Sequence, residues 1–136
     1  MSEAVKKPRR QFNVMTFSQV GNYRLPLPAY VSILHRVSGA AMFFLLPFTL
    51  YLLDKSLTSE ISFDALRGFT ANWFVKLVIL GLVWSYLHHF CAGVRHLFLD
   101  MHMGMDKVSG KQTSAAVFAV SLPLTLLVAL KLFGVF

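Results

Sequence analysis

The chain has 136 residues, of which 56% are hydrophobic and 14% charged, with a mean hydropathy of +0.61. Low hydrophobicity with high charge is what keeps a chain disordered, so disorder is excluded. A water-soluble globule, with roughly a quarter of its residues charged, is excluded as well. Cys91 is the single cysteine, which removes any internal disulfide framework and any cysteine-based zinc site. A net charge of +7 in a soluble protein would point to nucleic acid. Here the basic residues are segregated along an apolar chain, and the partner they indicate is membrane lipid rather than nucleic acid.

Residues 1–28 form a basic N-terminal segment carrying Lys6, Lys7, Arg9, Arg10 and Arg24, opposed only by Glu3. No apolar run of signal-peptide type follows these charges directly, so the segment reads as a cytoplasmic tail. Three stretches then lack Asp, Glu, Lys and Arg altogether: 37–53, 77–94 and 112–130. Each approaches the roughly 20 residues that a helix needs to cross the hydrocarbon core. In lipid the backbone must satisfy its own hydrogen bonds, so each stretch is predicted to be helical. The first shows no polar face: Phe43, Phe44, Leu45, Leu46, Phe48 and Leu50 point all round it. The predicted fold is all-α, an integral membrane domain over 29–136 with spans at about 31–53, 73–99 and 113–134. Pro47 and Pro123 lie within the first and third spans and are expected to kink them. Residues 54–76 form the first loop, and Gly104, Ser109 and Gly110 punctuate the second. Basic residues near the spans set orientation. They place the N-terminus and second loop inside, and the first loop and C-terminus outside.

Polar residues gather where span one enters and span two leaves the inner surface. Ser32 and Arg36 are four apart and share a helix face, with His35 beside them. On span two, His89, Gly93, His96 and Asp100 fall at i, i+4, i+7 and i+11, one continuous stripe. His89 lies about 10 Å deeper than His96 by helical rise. Ionisable groups in a membrane are costly and mark functional sites. A deep imidazole, a face cleared by glycine and cations nearer the surface suit a haem standing in the bilayer, its propionates meeting His35, Arg36, Arg95 or His96. Each feature alone has a plainer reading, as an interhelical hydrogen bond or a positive-inside anchor. Spacing does not choose between His88 and His89, which point about 100° apart. A single deep histidine on the stripe leaves a low-spin haem short of one axial ligand, which a second chain would have to supply.

The segment Ser32-Ile33-Leu34-His35-Arg36-Val37-Ser38-Gly39 resembles the S-x-x-H-R-x-[ST]-G motif of the cytochrome b membrane-anchor subunit of succinate dehydrogenase (complex II). His89-Phe90-Cys91-Ala92-Gly93-Val94-Arg95-His96-Leu97-Phe98-Leu99-Asp100 resembles that family's second signature, H-x-x-x-G-x-R-H-x-x-x-D. The resemblance runs from about Arg24 to the C-terminus. It departs upstream, where many members have R-P-x-S-P-H and this chain reads Arg24-Leu25-Pro26-Leu27-Pro28-Ala29.

The resemblance implies a three-span bundle formed with a second membrane-anchor subunit in the bacterial inner membrane, N-terminus cytoplasmic. It implies His89 as the axial ligand of a haem b shared with that partner, Ser32 and Arg36 as quinone-binding residues, and His35, Arg36, Gly93, Arg95 and His96 as the haem propionates' surroundings. An iron–sulfur subunit and a flavoprotein subunit would dock on the inner face, ubiquinone would be the substrate, and the chain alone would have no catalysis. Two other classes compete. One is a haem-free structural anchor. The other is a small transporter component, which the nearly unbroken apolar outer halves of the spans disfavour.

Overall fold

The structure, a computed structural model, describes Gln19 and residues 23–135. Most of the expected basic segment at 1–28 lies outside the described residues. Among the described residues the chain is all helical, with five helices. α1, Leu27–Phe44, starts at Pro26 and carries Pro28 in its first turn, where proline's fixed φ suits a helix and its missing N–H costs nothing. α2, Leu46–Thr58, follows after Leu45 at a 50° bend. Pro47 explains the break: it cannot donate to the carbonyl four residues back, and its ring crowds that carbonyl.

α3, Glu60–Thr70, lies inside the stretch read from sequence as the first loop. Ser59 and Ser62 cap it reciprocally: the Ser62 amide donates to the Ser59 hydroxyl at 3.2 Å, and the Ser59 amide donates to the Ser62 hydroxyl at 3.0 Å. α4, Trp73–Asp100, is capped by Asn72, whose side-chain oxygen accepts from the Phe74 amide at 2.9 Å. α4 has 28 residues, about 42 Å at the helical rise, enough to cross the core with turns to spare. Its C-terminus closes in a Schellman turn. The Met103 amide donates to the Phe98 carbonyl, the His102 amide to that of Leu99, and His102 takes the left-handed position at φ 61°.

α5, Lys107–Leu132, runs unbroken through Pro123. Asp106 caps it, accepting from the Val108 and Ser109 amides at 3.2 and 2.9 Å. The Ser109 side chain, then its amide, hold the Asp106 carboxyl below its ordinary range. A carboxyl lowered by folding contributes fully above its unfolded pKa and stops contributing as pH falls through the folded one. Amide exchange at Val108 and Ser109 should therefore quicken about fivefold in Asp106→Ala at neutral pH, and wild type should match the variant only in acid.

α4 is the central helix, packed against α1 on one side and α5 on another, with α1 also touching α5. Its buried stripe is Ser85, His88, Ala92 and Arg95; α5 answers with Ser114, Val117 and Ser121, and α1 with Val31 and Ser38. Small and hydroxylated side chains at these contacts let the helices approach closely, as expected where lipid gives no hydrophobic drive to association. Large apolar side chains such as Phe43, Phe44, Leu126 and Leu127 face outward, where hydrocarbon is a good solvent. α4 and α5 are each long and apolar enough to cross a membrane, and the bent pair α1–α2 makes a third crossing if it is one span. The architecture is that of a helical membrane bundle.

Candidate functional site: a histidine cluster between α1 and α4

Three imidazoles meet where α1 crosses α4. The His35 ring stacks on that of His89 with centroids 4.0 Å apart and planes within 12°, and His96 lies 5.0 Å from His35 at a tilt. His89 is held from behind. Its Nδ1 is 2.9 Å from the backbone carbonyl oxygen of His35 and 3.4 Å from the Ser38 hydroxyl, which itself donates to the same carbonyl at 2.9 Å. A carbonyl only accepts, so Nδ1 carries the proton and donates. Nε2 therefore keeps its lone pair, the tautomer that a metal-ligating imidazole needs, fixed by the second partner that such ligands normally have.

Space for this ring comes from Gly39. A Cβ there would sit 2.9 Å from Cε1 and 3.3 Å from Nδ1 of His89. Gly93 has a milder role: its Cβ would lie 3.6 Å from Nε2 of His35, an ordinary contact. Gly39 sits in the first motif, but nothing in the sequence shows which ring passes it, because that depends on the register between two helices. Gly39→Ala should displace the imidazole by a few tenths of an ångström or more and shift the His89 ring resonances in an NMR spectrum. Gly93→Ala should leave those resonances nearly unmoved.

Ser32, Arg36 and Gly39 fall at i, i+4 and i+7, one stripe of α1. Gly39 faces His89, so Ser32 and Arg36 lie on the same side of the helix, nearer its N-terminus. Ser32 is half-buried and Arg36 exposed. A hydroxyl and a guanidinium one turn apart can hold a carbonyl or oxyanion between them.

Two other residues singled out on α4, His88 and Arg95, point elsewhere. His88 is fully buried between the helices of this chain, 5.3 Å from Trp84 and 5.4 Å from Phe118 by ring centroids. Its ring is enclosed by its own chain, whereas His89 is only half-buried. Arg95 is buried toward α5, where its Nε donates to the Thr113 hydroxyl at 3.1 Å. It does not join the His35–His89–His96 cluster. Thr113 gave no sequence signal, because the pairing of α4 with α5 is needed to find it. Among the described residues no group of three or more His, Cys, Asp or Glu side chains is placed to hold a metal ion. His89 Nε2, opposite an engaged Nδ1, is a donor that fits a metal whose other ligands come from a macrocycle or another chain.

The family model described as "Succinate dehydrogenase/Fumarate reductase transmembrane subunit" matches residues 8–128. The chain belongs to that family. Among its relatives is the succinate dehydrogenase cytochrome b556 subunit of Paracoccus denitrificans, 31% identical over 111 residues, covering 82% of this chain and 85% of the relative. The protein of the same name from Coxiella burnetii is 33% identical over 100 residues, covering 73% and 80%. That of Rickettsia felis is 30% identical over 105 residues, covering 77% and 82%. The match spans nearly the whole bundle, both motif segments included, so family membership and the histidine cluster concern the same part of the chain.

Proposed function

We propose that this chain is the haem-bearing anchor of a succinate:ubiquinone oxidoreductase. His89 would hold haem b, and Ser32 and Arg36 would form part of the quinone-reducing site. The observation that carries the reading is the fixed tautomer of His89, with Nδ1 tied to the His35 carbonyl and Nε2 left to ligate. The relatives' name, cytochrome b556 subunit, supports a b-type haem. Bound haem b supplies a one-electron redox centre within the bilayer.

This chain's residues do the rest by binding and positioning. His89 would hold the iron through Nε2, and a second membrane-anchor subunit would supply a further histidine. Arg36, His35 and His96 lie at the end of the bundle where carboxylate propionates would meet cations. Electrons reach ubiquinone from an iron–sulfur subunit docked on the inner face, and a flavoprotein subunit oxidises succinate. As the quinone oxygen gains charge, the Ser32 hydroxyl donates a hydrogen bond to it and the Arg36 guanidinium stabilises it. Positive charge near the spans supports an orientation with the N-terminus on the cytoplasmic side, and the membrane would be a bacterial inner membrane.

The test is an assembly purified through a tag on this chain and assayed with two electron acceptors. Succinate should reduce both a ubiquinone analogue and a soluble dye. Dye reduction without quinone reduction would remove the quinone site. Absence of both large subunits would remove the oxidoreductase reading and revive the transporter.

A further inference from the structure

On the side of α4 away from His89, two cavities meet at Arg95. One, of about 570 Å³, is an apolar groove between α4 and α5 lined by Phe90, Val94, Phe98, Ala116 and Val120. The other, of about 640 Å³, opens between the start of α1 and the start of α5 and is lined by Pro26, Lys107 and Lys111. Arg95, Leu99 and Gly104 line both. The Arg95 residue is only 8% exposed. Its one hydrogen bond goes to a neutral hydroxyl, and no carboxylate lies within ion-pair distance among the described residues. Asp106 borders the second cavity, but its carboxylate already accepts from two amides of its own helix. Three cations thus face one engaged carboxylate, at the end of an apolar groove.

We infer that this is a binding site for an anionic phospholipid, with an acyl chain in the α4–α5 groove and the phosphate held by Arg95, Lys107 and Lys111. A buried, incompletely partnered guanidinium is costly in a bilayer, and a phosphate bound from the membrane offsets that cost while satisfying its remaining donors. Basic pockets between transmembrane helices on the inner side suit acidic head groups. The haem face of α4 is the one a second anchor subunit would cover, so the opposite face is left to lipid. The inference rests on the membrane placement in the reading above, but its readout is bound lipid, which is separate from haem content and quinone reduction.

The intact assembly would be purified in mild detergent, and its retained lipids quantified by mass spectrometry. Wild type should retain anionic phospholipid over phosphatidylcholine. Arg95→Gln should lower the anionic share about fivefold, the factor for one lost cation at the membrane surface. Ala116→Trp fills the groove without touching a charge. It should displace the same lipid while leaving the haem spectrum and succinate oxidation unchanged, which covers the case in which Arg95→Gln fails to assemble. A delipidated assembly should gain thermal stability from phosphatidylglycerol vesicles, and not from phosphatidylcholine vesicles or inorganic phosphate. Equal lipid retention by wild type and Ala116→Trp would overturn the site, as would stabilisation by phosphate alone. Loss of the large subunits from a Lys107→Gln/Lys111→Gln assembly with its lipid retained would also overturn it, in favour of protein docking.

Discussion

An assembly carrying His89→Leu should lose its haem b absorbance, with the reduced-minus-oxidised difference falling at least roughly tenfold. The assembled subunits should still be visible on a gel. The expectation comes from the geometry of His89, a half-buried imidazole whose Nδ1 is engaged by the His35 carbonyl, which leaves the lone pair on Nε2. His88→Leu is the matched control. It removes a ring sealed between Trp84 and Phe118, so the assembly should change in stability and keep its haem. The reverse pattern, haem lost with His88 and kept without His89, would exchange the two assignments.

Arg36→Gln should slow quinone reduction by roughly a hundredfold, the usual cost of removing one donor aimed at developing negative charge. Succinate oxidation with a soluble dye should be unchanged, because that chemistry lies in another subunit. Arg36→Lys should recover part of the loss: it keeps the charge and loses the planar fork. Ser32→Ala should cost less, about fivefold, as one neutral hydrogen bond does. Steady-state assays with both acceptors on each variant separate these outcomes. Equal loss of both activities in Arg36→Gln would mean that the residue supports assembly instead of the quinone site.

How much of this was legible without coordinates depended on whether a feature lived on one helix or between two. Charge-free length alone marked the apolar stretches that α4 and α5 contain, since the bilayer demands length above all. α3 was missed because a search for uncharged runs passes over a short helix bearing Glu60, Asp64 and Arg67. Its signal was the Ser59–Ser62 cap. The two prolines looked alike in sequence. Pro47 falls where the chain bends between α1 and α2, whereas α5 continues through Pro123.

The same division holds at the site. The His89–Gly93–His96 stripe follows from helical periodicity. The His35 carbonyl behind His89 and the clearance at Gly39 require the register of α1 on α4, which no spacing encodes. The preference for His89 over His88 in the proposal rests on packing that spacing does not encode: one ring is enclosed by Trp84 and Phe118, and the other stacks on His35. Arg95 and His96 are neighbours in sequence, yet about 100° of helical rotation sends Arg95 toward Thr113.

The most direct test of the central claim is a dithionite-reduced minus oxidised optical spectrum of the detergent-solubilised assembly, purified through this chain and run in parallel on a denaturing gel. The account predicts a b-type haem signal together with two large and two small subunits. The same bands without haem would contradict the ligand role of His89 and leave a structural anchor. A solitary small band without haem would contradict the proposal as a whole.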